Sequence, residues 1–435
     1  MTKPKIVVIG TASVSFGPGI VRDILVHPSL HGSDIVLVDI DAQALEDVLA
    51  FGQRLNQLTG ANSRLSATAD RRKALPGADF VVISVAVERS RLWKLDYQIP
   101  LKHGIKHVLG ENGGPGGLSH SLRNIPLLLS ICRDIEELAA GAWVINFTNP
   151  MSRLCMALSW ETDLKFVGLC HQIGVGYGIV SRILGIPRDK FRLRASGINH
   201  FTWIQDMRSL ETGEDLYSLF WEKLASSNPD YEPLCRDLGY IFGLYPAVGD
   251  THAGEYIADA WRYMGTEGFN FEHYEEQVRD RRESIRAVTA GDDEIAQEWL
   301  SGTSGERAVP IMAALKDDAN QYEEAVNVVN MGAIPNLPDD AIVEVPAIVS
   351  ASGVQPIQVP PLPEGIAALC NRQIAIQELV VEAALTGSRE IALQALVLDP
   401  VVPDMETAQA VLEELLTVHA PYLAQFAAQF AAQFA

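Results

Sequence analysis

The first 170 residues alternate short apolar runs, rich in β-branched residues, with longer amphipathic stretches. This alternation is typical of parallel βαβ units, in which buried strands alternate with helices that cover the sheet. Apolar side chains recur at helical spacing in segments 19–26, 42–58 and 118–138. The predicted strands lie at residues 5–9, 35–38, 80–85, 143–147 and 166–169. The N-terminal half is therefore predicted to be an α/β unit with a doubly wound parallel sheet.

The pattern becomes irregular beyond about residue 195. Aromatic-rich segments such as 200–203 are followed by long helical patterns around 280–300 and 364–385. We therefore predict a mixed α+β domain over residues 196–435, joined to a first domain over residues 1–195. The sequence has no clean linker between these parts, so a shared interface that contains the active site is expected.

The composition argues against a nucleic-acid-binding protein and against a membrane protein. Of the 435 residues, 34 are basic and 55 are acidic, which gives a formal net charge of -21. Such a charge repels nucleic acid and anionic membrane surfaces, so neither is an expected partner. No run of about 18 apolar residues is uninterrupted, which argues against a membrane-spanning helix. The five cysteines are scattered and odd in number, which suits reduced thiols, and a soluble cytoplasmic protein is expected.

The C-terminal tail repeats Phe-Ala-Ala-Gln and places Phe426, Phe430 and Phe434 on one helical face. This i, i+4 spacing predicts a helix that packs on its own domain or on a sister subunit. Because the chain is also large, we expect a homodimer or homotetramer.

A strand, a turn and a helix follow one another over residues 6–19. Small residues in such a turn let backbone amides approach a pyrophosphate at the positive end of the helix. Here Ala12 replaces the usual second glycine, and Phe16 replaces the third small residue. Asp39, at the end of the second strand, can accept hydrogen bonds from the adenosine ribose, and its charge favours NAD over NADP. We therefore predict a Rossmann-like NAD-binding domain whose cofactor contacts are Gly10, Ala12, Ser13, Val14, Ser15, Phe16, Asp39 and Ser84.

Polar residues gather in segments 146–150, 168–172 and 197–200, each at or just after a strand end. Ligands of doubly wound sheets bind beyond the carboxyl ends of the strands, so these segments are expected to converge. The Cys170 thiolate and the His200 imidazole could then bind a divalent transition-metal ion. Taken singly, each is more often a buried core residue, because a free cysteine commonly packs as a small apolar side chain.

A fourth polar segment, residues 249–256, contains Asp250, His252, Glu255 and Tyr256. One interpretation is a solvated helix start with Asp250 as its N-cap. The other is catalytic, with Asp250 or Tyr256 taking a proton from a substrate. The sequence leaves both interpretations open.

Taken in order, these features resemble the family-4 glycoside hydrolases, which depend on NAD and a divalent metal and depart from the usual two-carboxylate mechanism. The resemblance covers most of the chain, and it implies a small carbohydrate substrate. Its landmarks are the turn at 10–16, Arg91 before segment 96–100 and Gly104, the glycine-rich segment 113–117 with Arg123, Asn149-Pro150, Cys170-His171, segment 197–200, and segment 327–332 before 337–340.

The resemblance implies that Cys170 and His200 hold the metal, typically manganese, and that Asn149 binds the substrate beside the nicotinamide. His171 is typical of members that act on unphosphorylated α-glycosides, whereas the 6-phosphosugar branches have Asp or Asn at this position. The sugar stays open among a glucoside, a galactoside and a uronide. Because a thiolate is a soft ligand for a hard ion, Cys170 is expected to be sensitive to oxidation. The further predicted substrate contacts are His171, Asn199 and His252.

The implied mechanism begins with transient oxidation of the sugar C3 hydroxyl by NAD, which makes the C2 proton removable. Metal-assisted deprotonation at C2 follows, with Asp250 as the first and Tyr256 as the second choice of base, and His171 as a further catalytic candidate. The aglycone leaves by elimination, water adds back, and the hydride is returned. NAD is therefore expected to be a retained catalyst.

Two other functions compete with this hypothesis. The runner-up is an NAD-dependent dehydrogenase of the malate or lactate type, which acts on a hydroxy acid or sugar, needs no metal cysteine and releases NADH. The other is a noncatalytic module that senses NAD or binds a sugar, in which a thiolate and a base would have no use. For the nucleotide turn itself, the alternative is a tight turn beside a surface aspartate.

Overall fold

The computed structural model describes residues 3–13, 16–264 and 269–427 of the chain. Among these residues, eleven strands form one continuous sheet. The strands are β1 (Lys5–Ile9), β2 (Asp34–Val38), β3 (Arg64–Thr68), β4 (Phe80–Ile83), β5 (Trp143–Asn146), β6 (Lys165–Gly168), β7 (Phe191–Ile198), β8 (Phe201–Ser209), β9 (Gln321–Val329), β10 (Ile342–Ser350) and β11 (Gly353–Pro356). Their order is β3-β2-β1-β4-β5-β6-β9-β10-β7-β8, and β11 pairs with β10.

Sixteen α-helices accompany the sheet in the described part of the chain. They are α1 (Gly17–Val26), α2 (Ala42–Thr59), α3 (Arg71–Ala74), α4 (Arg89–Lys102), α5 (Gly114–Ala139), α6 (Met151–Glu161), α7 (Gln172–Leu184), α8 (Tyr217–Ser226), α9 (Pro233–Phe242), α10 (Asp250–Ala253), α11 (Phe271–Ala290), α12 (Asp293–Ser301), α13 (Ala308–Asp317), α14 (Glu364–Thr386), α15 (Arg389–Leu398) and α16 (Met405–Val418). Helix α14 packs against α5 and α6, so the C-terminal part of the chain returns to the N-terminal half.

The six strands β1 to β6 pair with one another in parallel. In β1, Ile6 and Val8 join one hydrophobic core, while Val7 and Ile9 join the core on the other face. A strand that helices cover on both sides has a continuous apolar sequence for this reason. Ile9 pairs with Val38, so β1 and β2 end level and the loops that follow them meet at one edge. The predicted doubly wound α/β sheet is confirmed.

All five predicted strands are present, within two residues of their predicted ends. Strand β3 was not predicted, because this edge strand is partly exposed and has the polar sequence Arg-Leu-Ser-Ala-Thr. The helical pattern around residues 280–300 corresponds to two helices, α11 and α12. They are separated at Gly291, which has φ +98°.

The strands of the second half extend the same sheet. β9 is antiparallel to β6, β10 is antiparallel to β9, and β7 is antiparallel to β10. The expected division between residues 195 and 196 falls within β7, and it stays a prediction. Because β9 and β10 lie between β6 and β7, segments that are close in sequence are separated by two strands in space.

Phe426 is buried in a hydrophobic core, whereas Phe430 and Phe434 lie outside the described residues. The predicted tail helix and the predicted oligomer therefore stay predictions. None of the described helices combines the length and the apolar character that crossing a bilayer requires.

Candidate active site

The loop after β1 forms a turn that requires glycine. Gly10 has φ +84°, and a Cβ atom there would lie 1.9 Å from the carbonyl oxygen of Ser84. Gly17 begins α1, and a Cβ atom there would lie 1.9 Å from the carbonyl oxygen of Thr11. The backbone therefore passes close to its neighbours before it enters the helix, which is the geometry that a pyrophosphate-binding turn needs.

A cavity of about 850 Å³ opens along this turn and the carboxyl ends of the neighbouring strands. Asp39 lies in its wall, where the carboxylate accepts a hydrogen bond from the backbone amide of Ala12 at 2.8 Å. The predicted cofactor residues that line the cavity are Gly10, Ala12, Ser13, Phe16, Asp39 and Ser84. Val14 and Ser15 lie outside the described residues. The cavity extends to Asn149, and its volume is typical of a ligand pocket.

Cys170 follows β6, His200 connects β7 to β8, and the Cys170 thiol lies next to the His200 imidazole. His200 is buried, and its backbone has φ +63°. Burial disfavours the charged imidazole, but Cys170 and the nearby Glu255 raise the pKa of His200 well above its usual value. Such a pair attracts positive charge, and sulfur and imidazole are good ligands for transition-metal ions. The structure thus brings the two predicted metal ligands together.

Glu255 fixes the orientation of His200. Its Oε2 atom lies 3.2 Å from His200 Nδ1, and its Oε1 atom accepts hydrogen bonds from the backbone amides of Glu111 (2.8 Å) and Asn112 (2.7 Å). Asn112 Nδ2 also lies 3.2 Å from His200 Nδ1. Because these groups engage Nδ1, Nε2 is the nitrogen that remains for a metal, as in sites where a carboxylate orients a histidine ligand.

His171 and His252, two further predicted site residues, are close to this pair. The rings of His252 and His200 have their centroids 4.3 Å apart, and His171 Nδ1 lies 3.2 Å from Glu306 Oε1. The hydrogen bond with Glu306 raises the pKa of His171 to about 9. Burial, followed by the charges of His200 and His171, lowers the pKa of His252 well below its usual value. At neutral pH, His171 is therefore charged and His252 is neutral.

Asn149 follows β5 and contacts a largely buried carboxylate. Its Nδ2 atom donates a hydrogen bond to Glu111 Oε1 at 3.1 Å, and Arg89 donates to the same oxygen at 2.6 Å. Burial opposes the ionisation of Glu111, but Arg89, His120 and His200 outweigh it and lower the pKa of Glu111 to about 2. Glu111 is therefore an ionised group between the predicted substrate-binding asparagine and the candidate metal ligands.

Asp250, the first choice of base, stabilises a different helix. Its carboxylate oxygens accept hydrogen bonds from the backbone amides of Leu234 (3.0 Å) and Cys235 (2.8 Å), in the first turn of α9. The alternative prediction, that Asp250 is the N-cap of the helix in which it lies, is wrong because the N-cap of α10 is Gly249. The negative charge of Asp250 at the start of α9 also interacts favourably with the dipole of that helix.

Tyr256 is buried close to the candidate metal ligands. Its hydroxyl donates a hydrogen bond to the backbone carbonyl of Asn199 at 3.3 Å. Burial, and after it the nearby Glu255, raise the pKa of Tyr256 well above its usual value, and Cys170 acts in the same direction. The side chain of Asn199, a predicted substrate contact, donates to the buried Glu344 at 2.8 Å.

Arg89, Glu111 and Asn112 were not among the residues predicted for the site, and Glu255 was predicted without a role. A signal for Glu111 and Asn112 was present, because the segment Glu-Asn-Gly-Gly-Pro-Gly-Gly places two polar residues before a glycine-rich helix start. Glu255 lies in the polar segment 249–256, but its role depends on partners at distant positions in the chain. No comparable signal marks Arg89.

Comparison with known proteins defines the class to which this fold and site belong. The family model described as Family 4 glycosyl hydrolase matches residues 5–186. The model described as Family 4 glycosyl hydrolase C-terminal domain matches residues 195–402. The chain therefore belongs to family 4 of the glycosyl hydrolases, which confirms the resemblance found in the sequence.

Individual relatives are similar over nearly their whole length. An alpha-glucosidase from Erwinia rhapontici is 35% identical, with 96% of this chain and 98% of the relative covered. An alpha-galacturonidase from Bacillus subtilis (strain 168) is 31% identical, with 95% and 96% covered. A 6-phospho-alpha-glucosidase from gut microorganisms, solved in complex with NAD and Mn²⁺, is 23% identical with a TM-score of 0.83, and 97% of this chain and 99% of that chain are covered. This last likeness shows a shared fold.

Proposed function

We propose that the protein is a glycoside hydrolase that cleaves an unphosphorylated α-glycoside and uses NAD and a divalent metal, Mn²⁺, as cofactors. The observation that carries this proposal is the contact of Cys170 with His200, close to Glu111 and Asn149 at the end of the nucleotide cavity. A nucleotide cavity alone would suit a dehydrogenase of the malate or lactate type. That alternative is not favoured, because family 4 models match both parts of the chain.

The residues present fit both cofactors. The Gly10 turn brings the backbone close to a pyrophosphate, and Asp39 places a carboxylate where the adenosine ribose would lie. Cys170 and His200 offer a sulfur and a nitrogen ligand, and a relative was solved with NAD and Mn²⁺. When bound, NAD would supply a hydride acceptor for the sugar C3 position, and Mn²⁺ would supply a Lewis acid for neighbouring sugar oxygens.

We assign the base to Tyr256, which reverses the order given by the sequence. Both oxygens of Asp250 accept hydrogen bonds from α9, so taking up a proton would weaken two contacts that stabilise the fold. The Tyr256 hydroxyl has one long hydrogen bond and lies next to the candidate metal ligands. Because the pKa of this hydroxyl is raised, it must lose its own proton before it can act as a base, and a divalent cation held by Cys170 and His200 would favour that loss. The phenolate could then take the C2 proton of a sugar held by Asn149.

The surroundings of His171 support a substrate without a phosphate group. Glu306 lies 3.2 Å from this imidazole and balances its charge, which leaves little net positive charge for a phosphate. An α-glucoside, an α-galactoside and an α-galacturonide remain candidates for the sugar. His171, Asn149 and His252 are the residues proposed to contact it.

The proposal is tested by incubating the protein with Mn²⁺, a reductant, catalytic NAD and p-nitrophenyl derivatives of these three sugars. An α-glucoside 6-phosphate serves as the negative control. Release of nitrophenol without accumulation of NADH is expected, and in D₂O the sugar product should carry deuterium at C2. Stoichiometric NADH would instead indicate a dehydrogenase. Cys170→Ser should abolish release while NAD still binds, because a serine hydroxyl is a poor substitute for a thiolate ligand.

A further inference from the structure

One row of paired residues crosses four strands next to the candidate metal ligands. Gly168 of β6 pairs with Asn327 of β9, Asn327 pairs with Glu344 of β10, and Glu344 pairs with Gly197 of β7. Neighbouring strands are about 4.8 Å apart, so the ends of β6 and β7 are separated by roughly 14 Å. The loops that carry the two candidate metal ligands therefore need a connection across two intervening strands.

Glu344 provides this connection. Its side chain is buried, and its carboxylate accepts hydrogen bonds from the side-chain amides of Gln172, Asn199 and Asn327. The distances to Asn199 and Asn327 are 2.8 Å and 2.9 Å. A buried carboxylate with three amide donors is well satisfied, so these contacts form a rigid network.

Two of the three partners are neighbours of the candidate ligands in the sequence. Gln172 lies two residues after Cys170, and Asn199 directly precedes His200. Within the described residues, the amide oxygens of Gln172 and Asn199 have no hydrogen-bond partner. Their amide groups are therefore held through the nitrogen that donates to Glu344, and one carboxylate fixes both loops.

We propose that Glu344 is a positioning residue, which sets the separation of Cys170 and His200 before a metal ion binds. Its described hydrogen bonds go to amide groups and not to the two ligands themselves. Two loops that are already held at the required separation lose less conformational freedom when the ion binds, so the affinity is higher. This inference rests on the metal site of the proposed function.

The test compares Glu344→Gln with the wild-type protein in a titration with Mn²⁺ alone, followed by the electron paramagnetic resonance signal of free Mn²⁺. The variant keeps the shape of the side chain but cannot accept hydrogen bonds from three amides. Its affinity for Mn²⁺ is expected to fall roughly 10- to 100-fold, as when other groups that orient metal ligands are changed. Its affinity for NAD should not change, because the nucleotide turn is outside this network.

Glu323→Gln is the matched control. Glu323 is also buried, lies on the neighbouring β9, and binds Arg307 at 2.8 Å. This variant should lose stability, as Glu344→Gln does, but it should keep the wild-type affinity for Mn²⁺. A structural effect common to buried carboxylates would instead lower the Mn²⁺ affinity of both variants equally, which would overturn the proposal.

Three further outcomes would also decide whether Glu344 positions the metal ligands. Unchanged Mn²⁺ affinity in Glu344→Gln would show that Glu344 does not position the ligands. If that variant does not fold, Gln172→Met breaks only the contact on the Cys170 side, and a loss of about tenfold is expected, whereas no loss overturns the proposal. If the wild-type protein itself does not bind Mn²⁺, the proposed metal site fails, and this inference fails with it.

Discussion

At the scale of single residues, Glu111 is a largely buried carboxylate, 12% exposed, that the site keeps ionised. Burial opposes ionisation, but Arg89, His120 and His200 lower the pKa of Glu111 to about 2. A carboxylate with so low a pKa accepts hydrogen bonds, but it has no proton to donate and is a weak base. In the proposed function, Glu111 therefore orients Asn149 or a sugar hydroxyl, and proton transfer falls to another residue.

Tyr256→Phe tests which residue transfers that proton. The variant removes the hydroxyl and keeps the ring, so kcat is expected to fall at least about 100-fold, as when a general base is lost. The affinities for NAD and Mn²⁺ should be retained. Incorporation of deuterium at C2 of the sugar in D₂O measures the step directly, and it should disappear with kcat.

Asp250→Asn is the companion variant. It removes the charge at the start of α9, so thermal stability should fall while deuterium incorporation continues. The opposite pattern, with normal incorporation in Tyr256→Phe and none in Asp250→Asn, would return the role of base to Asp250.

At the scale of elements, the turn between β1 and α1 depends on the absence of a side chain at Gly10. A Cβ atom there would collide with the Ser84 carbonyl oxygen, which lies 1.9 Å away, and would also be strained at φ +84°. Gly10→Ala is therefore expected to displace the turn and to abolish NAD binding, as measured by isothermal titration calorimetry.

The variant Gly60→Ala has the strain of a positive φ without a collision, so it shows which of the two effects acts at Gly10. Gly60 follows the last residue of α2 with φ +66°, and among the described residues no atom beyond its own chain neighbours lies within 4 Å of a Cβ built there. This variant should lose about 1 kcal/mol of unfolding free energy and keep the wild-type affinity for NAD. If both variants bind NAD normally, the turn is not the pyrophosphate site.

The elements that could be predicted from the sequence are those whose burial is visible in the pattern of their own residues. Strand β1 was predictable because helices cover both of its faces and every position except its first residue is buried. Strand β3 was not, because an edge strand keeps polar residues. The insertion of β9 and β10 between β6 and β7 was also unpredictable, since these strands follow more than a hundred residues later in the chain.

The same distinction applies to the candidate site. The approach of Cys170 to His200 followed from one rule, because both lie at strand ends on the ligand-binding edge of the sheet. Glu255 and Glu344 follow from no such rule, because their partners are set by tertiary packing. The role of Asp250 was also unpredictable, because its carboxylate accepts a hydrogen bond from the first turn of α9, a helix that precedes it in the chain.

At the scale of the whole molecule, Asp96 connects helices α4 and α5 with the C-terminal helix α16 in the interior. This fully buried residue of α4 accepts a hydrogen bond from Arg123 of α5 at 3.0 Å and lies 3.0 Å from Nε2 of His419, which follows α16. Burial opposes its ionisation, but His419 and Arg123 outweigh this and lower the pKa of Asp96 to about 2. A carboxylate with a lowered pKa stabilises the fold above its unfolded pKa of about 4.

We therefore predict that Asp96→Asn destabilises the protein most strongly near neutral pH. The variant leaves Arg123 buried without its charged partner, which typically costs about 3–5 kcal/mol. As the pH falls from about 4 to 2, the wild-type carboxylate becomes protonated and loses the same interaction, so the difference in unfolding free energy should shrink. Urea denaturation of both proteins, near neutral pH and near pH 3, measures this difference. Asp34→Asn, which removes a solvent-exposed pair with Arg64, should leave the unfolding free energy nearly unchanged at both pH values. If the deficit of Asp96→Asn stayed constant between the two pH values, the ionisation of Asp96 would not contribute to holding α4, α5 and the end of α16 together.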